Sequence, residues 1–509
     1  MINPIMKMDY PDPDVIRVDD TYYMVSTTMH FMPGGAVLKS YDLVNWEMVS
    51  YIYDTLDDTD AQKLEGDMNI YGQGMWAPTI KYHKGVFYVL FVANDTHKTY
   101  LYKARDVKGP WTKSYVEGFY HDASIFFDDD DRVYLIYGNK QIYLTEMNSE
   151  ITGPKEGGLH RMIVEDKDHP SLGYEGTHFY KIKGKYYVFF IHSLRDRWFR
   201  TEACFMSDSL EGDFTGGDVV VDDMGYRGSG VAQGGIVDTP DGKWYGILFQ
   251  DRGAVGRIPV LVPMHWENDY PVFGIEGKIP QNPEVKSTRP DYEYESLYAS
   301  DDFDYTKDKN GNYNIKKVWQ WNHNPRKDLF SFEEKKNTLR LHSGKICDNL
   351  LKGYNTLTQR TYDPYSRVEV TVDASGINEG DFAGICGLQG LYAAIAVTKN
   401  KSGYELVMLG KDAADLGNGK KTCDIAERIY DRVSIASPEI RLASVFSCAD
   451  GKDEIRFYYC ADGSWTELGN GKKMQFMLDH FTGLRYGLYY YSTEKCGGYV
   501  DFSKFIYET

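Results

Sequence analysis

Short alternations of apolar and polar residues fill the first 290 residues of this chain of 509. They are dense in Tyr, Phe, Val and Ile and are broken by turns that contain Asp, Gly and Lys. A period of two is typical of β-strands with one buried face, whereas the period of an amphipathic helix is nearly absent here. The pattern therefore predicts an all-β fold.

Five stretches of this region share one pattern, in which a strand, a tight turn and a second strand follow a small or acidic residue. They are DPDVIRVDDTYYMVST from Asp12, APTIKYHKGVFYVLFV from Ala77, DASIFFDDDDRVYLIYG from Asp122, EGTHFYKIKGKYYVFFI from Glu175 and QGGIVDTPDGKWYGILF from Gln233. After the first four, the sequence indicates a further strand at 38–49, 102–114, 145–156 and 205–217. After the fifth, no equivalent is evident.

The repeat recurs every 45 to 65 residues, as is typical of the blades of a β-propeller. A β-sandwich with irregular strand spacing is the competing fold, but it would not repeat in this way. We therefore predict a five-bladed β-propeller. Because the first strand of each blade lines the central axis, the residues that begin the repeats are expected to meet in one axial pocket.

Three of the five residues that begin the repeats are acids, namely Asp12, Asp122 and Glu175. Asp12 is flanked by Pro11 and Pro13, which favour an extended backbone and hold it stiffly. Asp is also common in turns that precede strands, so turn chemistry is an alternative explanation for each Asp taken alone. Three acids at the same place in three repeats favour a shared pocket.

A set of three acids suits glycoside hydrolysis, in which one carboxyl group protonates the leaving oxygen and another activates water or attacks the sugar. Inverting enzymes hold the two groups about 6.5–9.5 Å apart, so that a water fits between them. Acids on different blades, facing each other across a funnel, suit that separation. A third carboxylate nearby would raise the pKa of the acid by like-charge repulsion.

The motifs YPDPD, GMWAP, HDASIF, YEGTHFYKI and GGIVDTPDGKWY, in this order, resemble those of glycoside hydrolase family 43. This family comprises five-bladed propeller β-xylosidases and α-L-arabinofuranosidases, and the resemblance extends over essentially the whole chain. It implies that Asp12 is the general base, that Asp122 tunes the pKa of the acid, and that Glu175 is the general acid. Asp14 matches a position where relatives often carry Ser, so a turn or supporting role is expected of it.

The same resemblance implies a set of sugar-binding residues. Trp76 in MWAP is similar to the residue that walls the sugar site, and Arg257 in VGRIPVL resembles an arginine near the sugar hydroxyls. The segment STTMHFMPGG matches a loop over the glycone, which places Met29, His30 and Phe31 at the substrate. Packing in the core is the alternative for Phe31 and Trp76, and a propeller salt bridge is the alternative for Arg257.

Gln233 departs from the family pattern, in which a His often lies in the axial channel and helps to bind a calcium ion or a water cluster. Gln can hydrogen-bond water but is a poorer metal ligand. We count Gln233 among the substrate-binding candidates, predict that no metal is required, and keep a structural calcium ion in the channel as an open expectation. His178 is expected to be a packed strand residue rather than a catalyst.

Beyond a Pro-rich and charged stretch at 279–304 the repeat stops, which places a domain boundary near residue 290. The short alternating segments that follow predict an antiparallel β-sandwich. The segments DDFDY and GGYVDFSKFIY resemble parts of the concanavalin-like C-terminal domain of family 43 β-xylosidases. We predict a catalytic propeller over 1–290 and a sandwich over 291–509, and the resemblance implies that a sandwich loop reaches over the pocket. A free-standing carbohydrate-binding module is the alternative role for the sandwich.

Composition narrows the class of partner. The net charge is −18 with no basic cluster, which argues against nucleic acid and membranes as partners and suits a small neutral oligosaccharide. No apolar run is long enough to span a membrane, and the N-terminal segment lacks the pattern of a signal peptide. Seven Cys without CxxC spacing indicate reduced thiols, so we expect a cytoplasmic location. A homo-oligomer is left open.

Together these features predict an inverting exo-glycoside hydrolase that releases terminal β-D-xylose, α-L-arabinofuranose or both from xylo- or arabino-oligosaccharides. The sequence does not distinguish the two sugars. One alternative is a non-catalytic propeller that binds carbohydrate through the same carboxylates, and another is a structural interaction propeller. A binding protein does not require three acids at these positions, which favours the enzyme.

Overall fold

The computed structural model describes residues 2–167, 171–412, 414–415, 421–422 and 426–509. Its first half is a five-bladed β-propeller, in which each blade is an antiparallel sheet of four strands. The strands are Asp14–Val18, Thr21–Ser26, Gly34–Ser40 and Glu47–Tyr53 in blade 1; Met75–His83, Val86–Ala93, Lys98–Ala104 and Thr112–Val116 in blade 2; Ser124–Phe127, Val133–Asn139, Gln141–Met147 and His160–Glu165 in blade 3; Glu175–Ile182, Lys185–Ser193, Arg200–Ser207 and Thr215–Val220 in blade 4; and Ala232–Asp238, Trp244–Asp251, Arg257–Glu267 and Tyr270–Phe273 in blade 5. The predicted propeller is confirmed.

The first strands of the blades surround one axis and close the ring. Asp14–Val18 of blade 1 contacts Met75–His83 of blade 2 on one side and Ala232–Asp238 of blade 5 on the other. The first strands of blades 2, 3, 4 and 5 contact one another in the same order. The residues that begin the five repeats therefore lie around a common axis.

Apolar residues on both faces of the inner strands pack against the neighbouring blades. In blade 2, Val89 belongs to the apolar cluster shared with blade 1, which includes Val25. The next residue, Leu90, belongs to the cluster shared with blade 3, which includes Ile125. Because each such strand is covered on both faces, it is apolar at consecutive positions rather than at alternate ones.

Blade 5 contains third and fourth strands that the sequence pattern does not reveal. Arg257–Glu267 pairs with Trp244–Asp251, and Tyr270–Phe273 pairs in turn with Arg257–Glu267. The third strand follows a 3-10 turn at Gly253–Val255 instead of a tight hairpin turn. It is also apolar over most of its length, so it lacks the alternation by which the other third strands are recognised.

The second half of the chain forms a β-sandwich of two antiparallel sheets, as predicted. One sheet contains, in spatial order, Phe31–Met32, Gln320–Asn322, Leu357–Arg360, Arg485–Ser492, Asp381–Leu388, Tyr392–Asn400, Gly403–Lys411 and Arg428–Ile435. The other contains Phe330–Ser331, Leu339–His342, Tyr499–Glu508, Tyr365–Asp373, Glu439–Ser447, Glu454–Ala461 and Ser464–Glu467, with Lys472–Lys473 paired to Glu454–Ala461. A separate ribbon joins Ala414–Asp415 to Lys421–Thr422.

Helical structure is nearly absent from the described part of the chain. It is limited to short 3-10 turns at Gly253–Val255, Leu350–Lys352 and Ala449–Gly451. In these same described ranges, no helix has the length and apolar character needed to cross a membrane.

A short strand of the propeller half joins the sandwich. Phe31–Met32 pairs with Gln320–Asn322 at the edge of the first sandwich sheet, and one apolar core extends from blades 1 and 5 into the sandwich. Between Phe273 and Gln320 the chain forms no strand, and the exact boundary near residue 290 stays a prediction. The propeller and the sandwich thus share one β-sheet and one apolar core.

One sandwich loop, residues 477–484, runs against the propeller. The N–H of Leu484 donates to the carbonyl of Ala254 at 2.8 Å. Gly483 is required at this close approach, because a Cβ there would lie 1.7 Å from the carbonyl oxygen of Val255. The loop is therefore held at a fixed position against blade 5.

Candidate active site

Each blade starts with the same local backbone. A residue with a positive φ angle, in the left-handed region, lies at or next to the position that begins the repeat. The positive φ angles are 50° at Asp12, 25° at Ala77, 48° at Asp122, 67° at Gly176 and 54° at Gln233. Left-handed backbone is uncommon for residues with a side chain, and where it recurs it is held by tertiary contacts. A shared turn thus begins the first strand of every blade.

Asp12 is held by an arginine and a threonine. It is 3% exposed, Nη1 of Arg257 donates to its Oδ1 at 2.5 Å, and the hydroxyl of Thr27 donates to its Oδ2 at 2.6 Å. The prediction that the flanking prolines give Asp12 an extended backbone is wrong, since the φ angle of Asp12 is 50°. Tertiary bonds override the local preference here, including one from the N–H of Thr27 to the carbonyl of Pro11 at 3.1 Å. Both carboxylate oxygens are therefore fixed in direction.

Arg257 joins Asp12 to the wall of the pocket. Its Nε lies 3.4 Å from Oδ1 of Asp251, so its buried charge faces two carboxylates. Its Cζ lies 4.5 Å from the ring centre of Phe249 and 3.9 Å from that of Phe481. The salt bridge considered as the alternative for Arg257 is present, and its partner is the candidate base itself.

Asp122, His121 and Glu175 form a cluster of titratable groups. One side-chain atom from each lies within 4.8 Å of the others, and Nε2 of His121 is 3.6 Å from an oxygen of each acid. Burial is the main cause that raises the pKa of Asp122 to about 7, and the charges of Glu175 and Asp12 add to the rise while His121 opposes it. Burial alone would lower the pKa of His121, but the charges of Asp122 and Glu175 outweigh it and raise that pKa to about 9.

Glu175 is the most accessible of the three acids. Its side chain is 20% exposed, against 3% for Asp12 and 7% for Asp122. Its Oε2 accepts a hydrogen bond from Nδ2 of Asn139 in blade 3. Glu175 therefore reaches the pocket while a neighbouring blade fixes its direction.

Trp76 is partly exposed beside this cluster. Its ring centre is 5.4 Å from that of Phe481, in a T-shaped arrangement, and 6.4 Å from that of His121. Its Nε1 donates to the carbonyl of Gly72 at 3.2 Å. Because Phe481 belongs to the sandwich loop 477–484, the sandwich contributes one wall of the candidate pocket. Aromatic walls of this kind suit a sugar ring.

Met29, His30 and Phe31 lie in the interface between the propeller and the sandwich and are 0% exposed. Sδ of Met29 accepts a hydrogen bond from the hydroxyl of Thr482 at 3.4 Å, and Cζ of Arg485 lies 3.7 Å from the ring centre of Phe31. In this arrangement the three side chains support the sandwich loop instead of lining an open pocket. Packing, the alternative considered for Phe31, accounts for its contacts, and a direct contact with sugar stays a prediction.

Asp14 and His178 connect three blades. Asp14 is 0% exposed, and its Oδ2 accepts hydrogen bonds from the N–H of Ile80 and the hydroxyl of Thr79, both at 2.8 Å. Its Oδ1 lies 3.1 Å from Nδ1 of His178. Burial would raise the pKa of Asp14, but the charges of Lys81 and His178 outweigh it and hold that pKa well below its usual range. These contacts give both residues a structural role beside the axis.

Gln233 is buried next to blade 4. Its N–H donates to Oε2 of Glu202 at 2.7 Å, and its side chain lies against Gly176. Calcium takes about six to eight oxygen ligands, mainly carboxylates and carbonyls. In the part of the chain that the structure describes, the only group of three acidic, histidine or cysteine ligands is the cluster around His121, and it does not include Glu202. The surroundings of Gln233 therefore do not fit a calcium site built from such side chains.

Three contributors to the pocket are not among the candidates from the sequence. His121 precedes Asp122 in the HDAS motif, so its position next to a predicted catalytic acid could have identified it as a site residue. No sequence motif identifies Asn139 or Phe481. The tertiary fold alone brings Asn139 to Glu175 and Phe481 to Trp76.

This combination of a five-bladed propeller and an axial acid cluster agrees with a comparison of sequence profiles. The profile of "Glycosyl hydrolases family 43" matches residues 1–271, which is more than half of the chain. The chain belongs to glycosyl hydrolase family 43. The profile of "Beta xylosidase C-terminal Concanavalin A-like domain" matches residues 302–508 of this family 43 enzyme. The predicted family and the predicted class of the C-terminal domain are thus confirmed.

Known proteins resemble this family 43 enzyme along much of its length. The Beta-xylosidase of Formosa agariphila is 26% identical over 564 residues, covering 100% of this chain and 90% of its own. The non-reducing end alpha-L-arabinofuranosidase of Bacteroides ovatus is 28% identical over 360 residues, covering 68% of this chain and 65% of its own. A solved bifunctional GH43-CE from Bacteroides eggerthii is 38% identical with a TM-score of 0.90, covering 100% of this chain and 63% of its own.

Proposed function

We propose that this family 43 enzyme is an inverting, exo-acting glycoside hydrolase that releases terminal β-D-xylose, α-L-arabinofuranose or both from short oligosaccharides. Asp12 is the general base and Glu175 is the general acid. The observation that carries the proposal is the separate placement of the two groups. Asp12 is bound to Arg257, whereas Glu175 lies in the cluster with Asp122 and His121. Base and acid on different blades leave room for the water that inversion requires.

In this mechanism, Asp12 accepts a proton from the attacking water while Arg257 and Thr27 hold its two oxygens. Glu175 gives its proton to the glycosidic oxygen of the leaving group. The bond from the anomeric carbon to that oxygen breaks as the water oxygen bonds to the opposite face, which inverts the configuration. Exchange of protons with solvent then restores the ionised base and the protonated acid.

Asp122 supports the acid. Its pKa is raised to about 7 by burial first and by the charges of Glu175 and Asp12 next. The buried cluster therefore retains a proton near neutral pH, within reach of Glu175. Glu175, the more exposed of the two acids, delivers the proton to the leaving group.

The sandwich loop 477–484 supports exo action. Phe481 contacts both Trp76 and Arg257, so it closes one side of the pocket. A pocket closed on one side favours a terminal sugar over the interior of a long chain. The relatives named as Beta-xylosidase and as non-reducing end alpha-L-arabinofuranosidase support the two candidate sugars.

We also propose that hydrolysis requires no metal ion, that the partner is a small neutral oligosaccharide, and that the enzyme works in a reducing, cytoplasmic location. The acid and base chemistry is complete without a metal. The cysteines that the structure describes as free thiols support a reducing location. They are Cys204, Cys347, Cys386, Cys448, Cys460 and Cys496.

Hydrolysis of p-nitrophenyl β-D-xyloside and p-nitrophenyl α-L-arabinofuranoside by Asp12→Asn and Glu175→Gln tests the assignment. Loss of a positioned base or acid is expected to lower kcat by roughly 10²–10⁴-fold. Asp213→Asn and Glu211→Gln change two exposed acids and are the matched controls, which should retain the wild-type kcat. Equal rates in the site variants and the controls would overturn the assignment.

The configuration of the first-formed sugar gives an independent test. Proton NMR during early turnover of a β-xyloside is expected to show α-xylose before mutarotation. Formation of β-xylose first would mean that a carboxylate attacks the sugar directly, and it would contradict the proposed roles of Asp12 and Glu175.

A further inference from the structure

One strand of blade 4, Arg200–Ser207, carries a buried arginine and a buried glutamate beside the candidate site. Arg200 is 2% exposed and Glu202 is 0% exposed. Because they are two residues apart in a strand, their side chains leave the same face of the blade. Neither residue contributes an atom to the proposed chemistry.

Arg200 is connected to the base through two side chains. Its Nε donates to Oδ2 of Asp251 at 2.7 Å, and Oδ1 of Asp251 lies 3.4 Å from Nε of Arg257. Arg257 in turn donates to Asp12 at 2.5 Å. Phe249 packs against both guanidinium groups, with ring distances of 5.3 Å for Arg200 and 4.5 Å for Arg257. A change at Arg200 would therefore free Asp251 to rotate and loosen Arg257.

Glu202 is connected to the acid through the backbone. Its Oε2 accepts the N–H of Gln233 at 2.7 Å, at the left-handed residue that begins blade 5. The side chain of Gln233 packs so tightly on Gly176 that a Cβ there would lie 2.5 Å from its Cδ. Since Gly176 directly follows Glu175, a shift of Gln233 would move the backbone that carries the acid.

Stability alone is a poor explanation for these two residues. Among the described residues, Nη2 of Arg200 and Oε1 of Glu202 have no hydrogen-bond partner. A buried polar group left unpaired costs about 1–3 kcal/mol. Apolar residues of similar volume often pack such a position at no loss of stability. A role in placing other groups accounts better for their burial.

We propose that Arg200 and Glu202 are positioning residues, an inference that rests on the proposed function. Arg200 orients the base Asp12 through Asp251 and Arg257. Glu202 orients the acid Glu175 through Gln233 and Gly176. One strand thereby fixes both catalytic carboxylates, and with them the space for the attacking water.

The effect on the acid is tested by the leaving group. A displaced acid slows the hydrolysis of xylobiose, whose leaving alkoxide needs a proton, far more than that of 2,4-dinitrophenyl β-xyloside, whose leaving group needs none. For Glu202→Leu we expect kcat on xylobiose to fall by about 10–10²-fold and kcat on the dinitrophenyl substrate to fall by about threefold at most. Glu202→Gln keeps an oxygen that can accept the N–H of Gln233, so it should recover most of the loss. Equal losses on the two substrates, or none on either, would overturn this part of the inference.

The effect on the base is tested by a nucleophile that needs no base. Arg200→Met is expected to lower kcat by about 10–10²-fold on both substrates. Azide attacks the anomeric carbon as dinitrophenolate leaves, with no proton transferred, so added azide should restore turnover of the dinitrophenyl substrate. Arg200→Lys keeps the ion pair with Asp251 and should lose less activity. A loss that azide does not restore, or an unchanged kcat, would overturn this part.

Circular dichroism and thermal melting show whether each variant folds. Where a variant does not, Asp251→Asn tests the connection to the base and Gly176→Ala tests the connection to the acid, with the same readouts. An inactive wild type would overturn the proposed function itself. An active wild type whose folded variants keep wild-type kinetics would overturn only the inference about Arg200 and Glu202.

Discussion

The ring centre of Phe481, a residue of the sandwich, lies 3.9 Å from Cζ of Arg257, the propeller residue that binds the candidate base. The same ring meets Trp76 in a T-shaped contact at 5.4 Å. The C-terminal domain therefore supplies one wall of the candidate pocket and covers the buried guanidinium group of Arg257.

We expect Phe481→Ala to raise the KM for xylobiose by about tenfold, because about 1.4 kcal/mol of lost contact corresponds to that factor. The value of kcat should fall less, since Phe481 touches neither acid nor base. Steady-state kinetics measure both constants. Phe382→Ala is the matched control, because Phe382 stacks on Tyr491 inside the sandwich. An unchanged KM in Phe481→Ala would show that the ring does not face the sugar.

His121 should make the enzyme less stable at alkaline pH. The charges of Asp122 and Glu175 overcome burial and raise the pKa of His121 to about 9, whereas an unfolded chain titrates near 6.5. Between these values the folded protein binds more protons than the unfolded chain, so the free energy of unfolding falls as the pH rises from about 6.5 to 9. At about 1.4 kcal/mol per pKa unit, the fall is at most about 3.5 kcal/mol.

Urea unfolding of wild type and His121→Asn at several pH values measures this effect. The slope of unfolding free energy against pH should be smaller in His121→Asn. The exposed His265 provides the control variant His265→Asn, which should keep the wild-type slope. A wild-type slope in His121→Asn would contradict the assigned charge of His121.

The blades and the acids were predictable for the same physical reason. Each blade packs against two neighbours, so its inner strands repeat one apolar pattern, and the residue that begins the pattern falls near the axis. Asp12, Asp122 and Glu175 were found because they occupy that position in three repeats. Trp76 could be placed beside them because it precedes the equivalent position in blade 2.

The remaining features depend on contacts that no local pattern encodes. The left-handed backbone of Asp12 runs against the preference set by its prolines and is held by Arg257, which is 245 residues away. The burial of His30 and Phe31 depends on the sandwich loop, so a motif in the propeller alone could not show it. Phe481 stands in a segment with no repeat, and only the docked loop brings it to the pocket.

Removal of metal ions should leave the enzyme unchanged. The proposed acid and base steps use no metal, and in the described ranges Glu202 next to Gln233 belongs to no group of three ligating side chains. We therefore expect dialysis against EDTA to change neither kcat nor the melting temperature. Calcium added back to the EDTA-treated enzyme is the control. A melting temperature that rises on this addition would show a structural calcium ion that the residues around Gln233 do not suggest.

Three buried histidines meet where the sandwich loop docks on the propeller. The ring centre of His30 lies 5.0 Å from those of His323 and His480. Burial is the first cause that lowers their pKa values, to about 3 for His323 and His480 and well below the usual value for His30. The positive charge of Arg485 lowers the pKa of His480 further, and that of Lys345 does the same for His323.

These histidines should make the docked loop labile in acid. The unfolded chain binds protons near pH 6.5, whereas the buried rings of His323 and His480 accept them only near pH 3, so the free energy of unfolding falls as the pH falls through this window. Each ring contributes up to about 1.4 kcal/mol per pKa unit. His480→Phe keeps a ring in the interface and removes one imidazole that would bind a proton. The free energy of unfolding of this variant, measured in urea, should therefore fall less between pH 6.5 and 4 than that of wild type. His265→Phe, at an exposed position, should behave as wild type does. His480 stands next to Phe481, so the same protonation should also affect the candidate pocket. We therefore expect the KM of wild type to rise in acid and the KM of His480→Phe to rise less. Identical dependences of KM and unfolding free energy on pH in the two proteins would show that the interface opens for another reason.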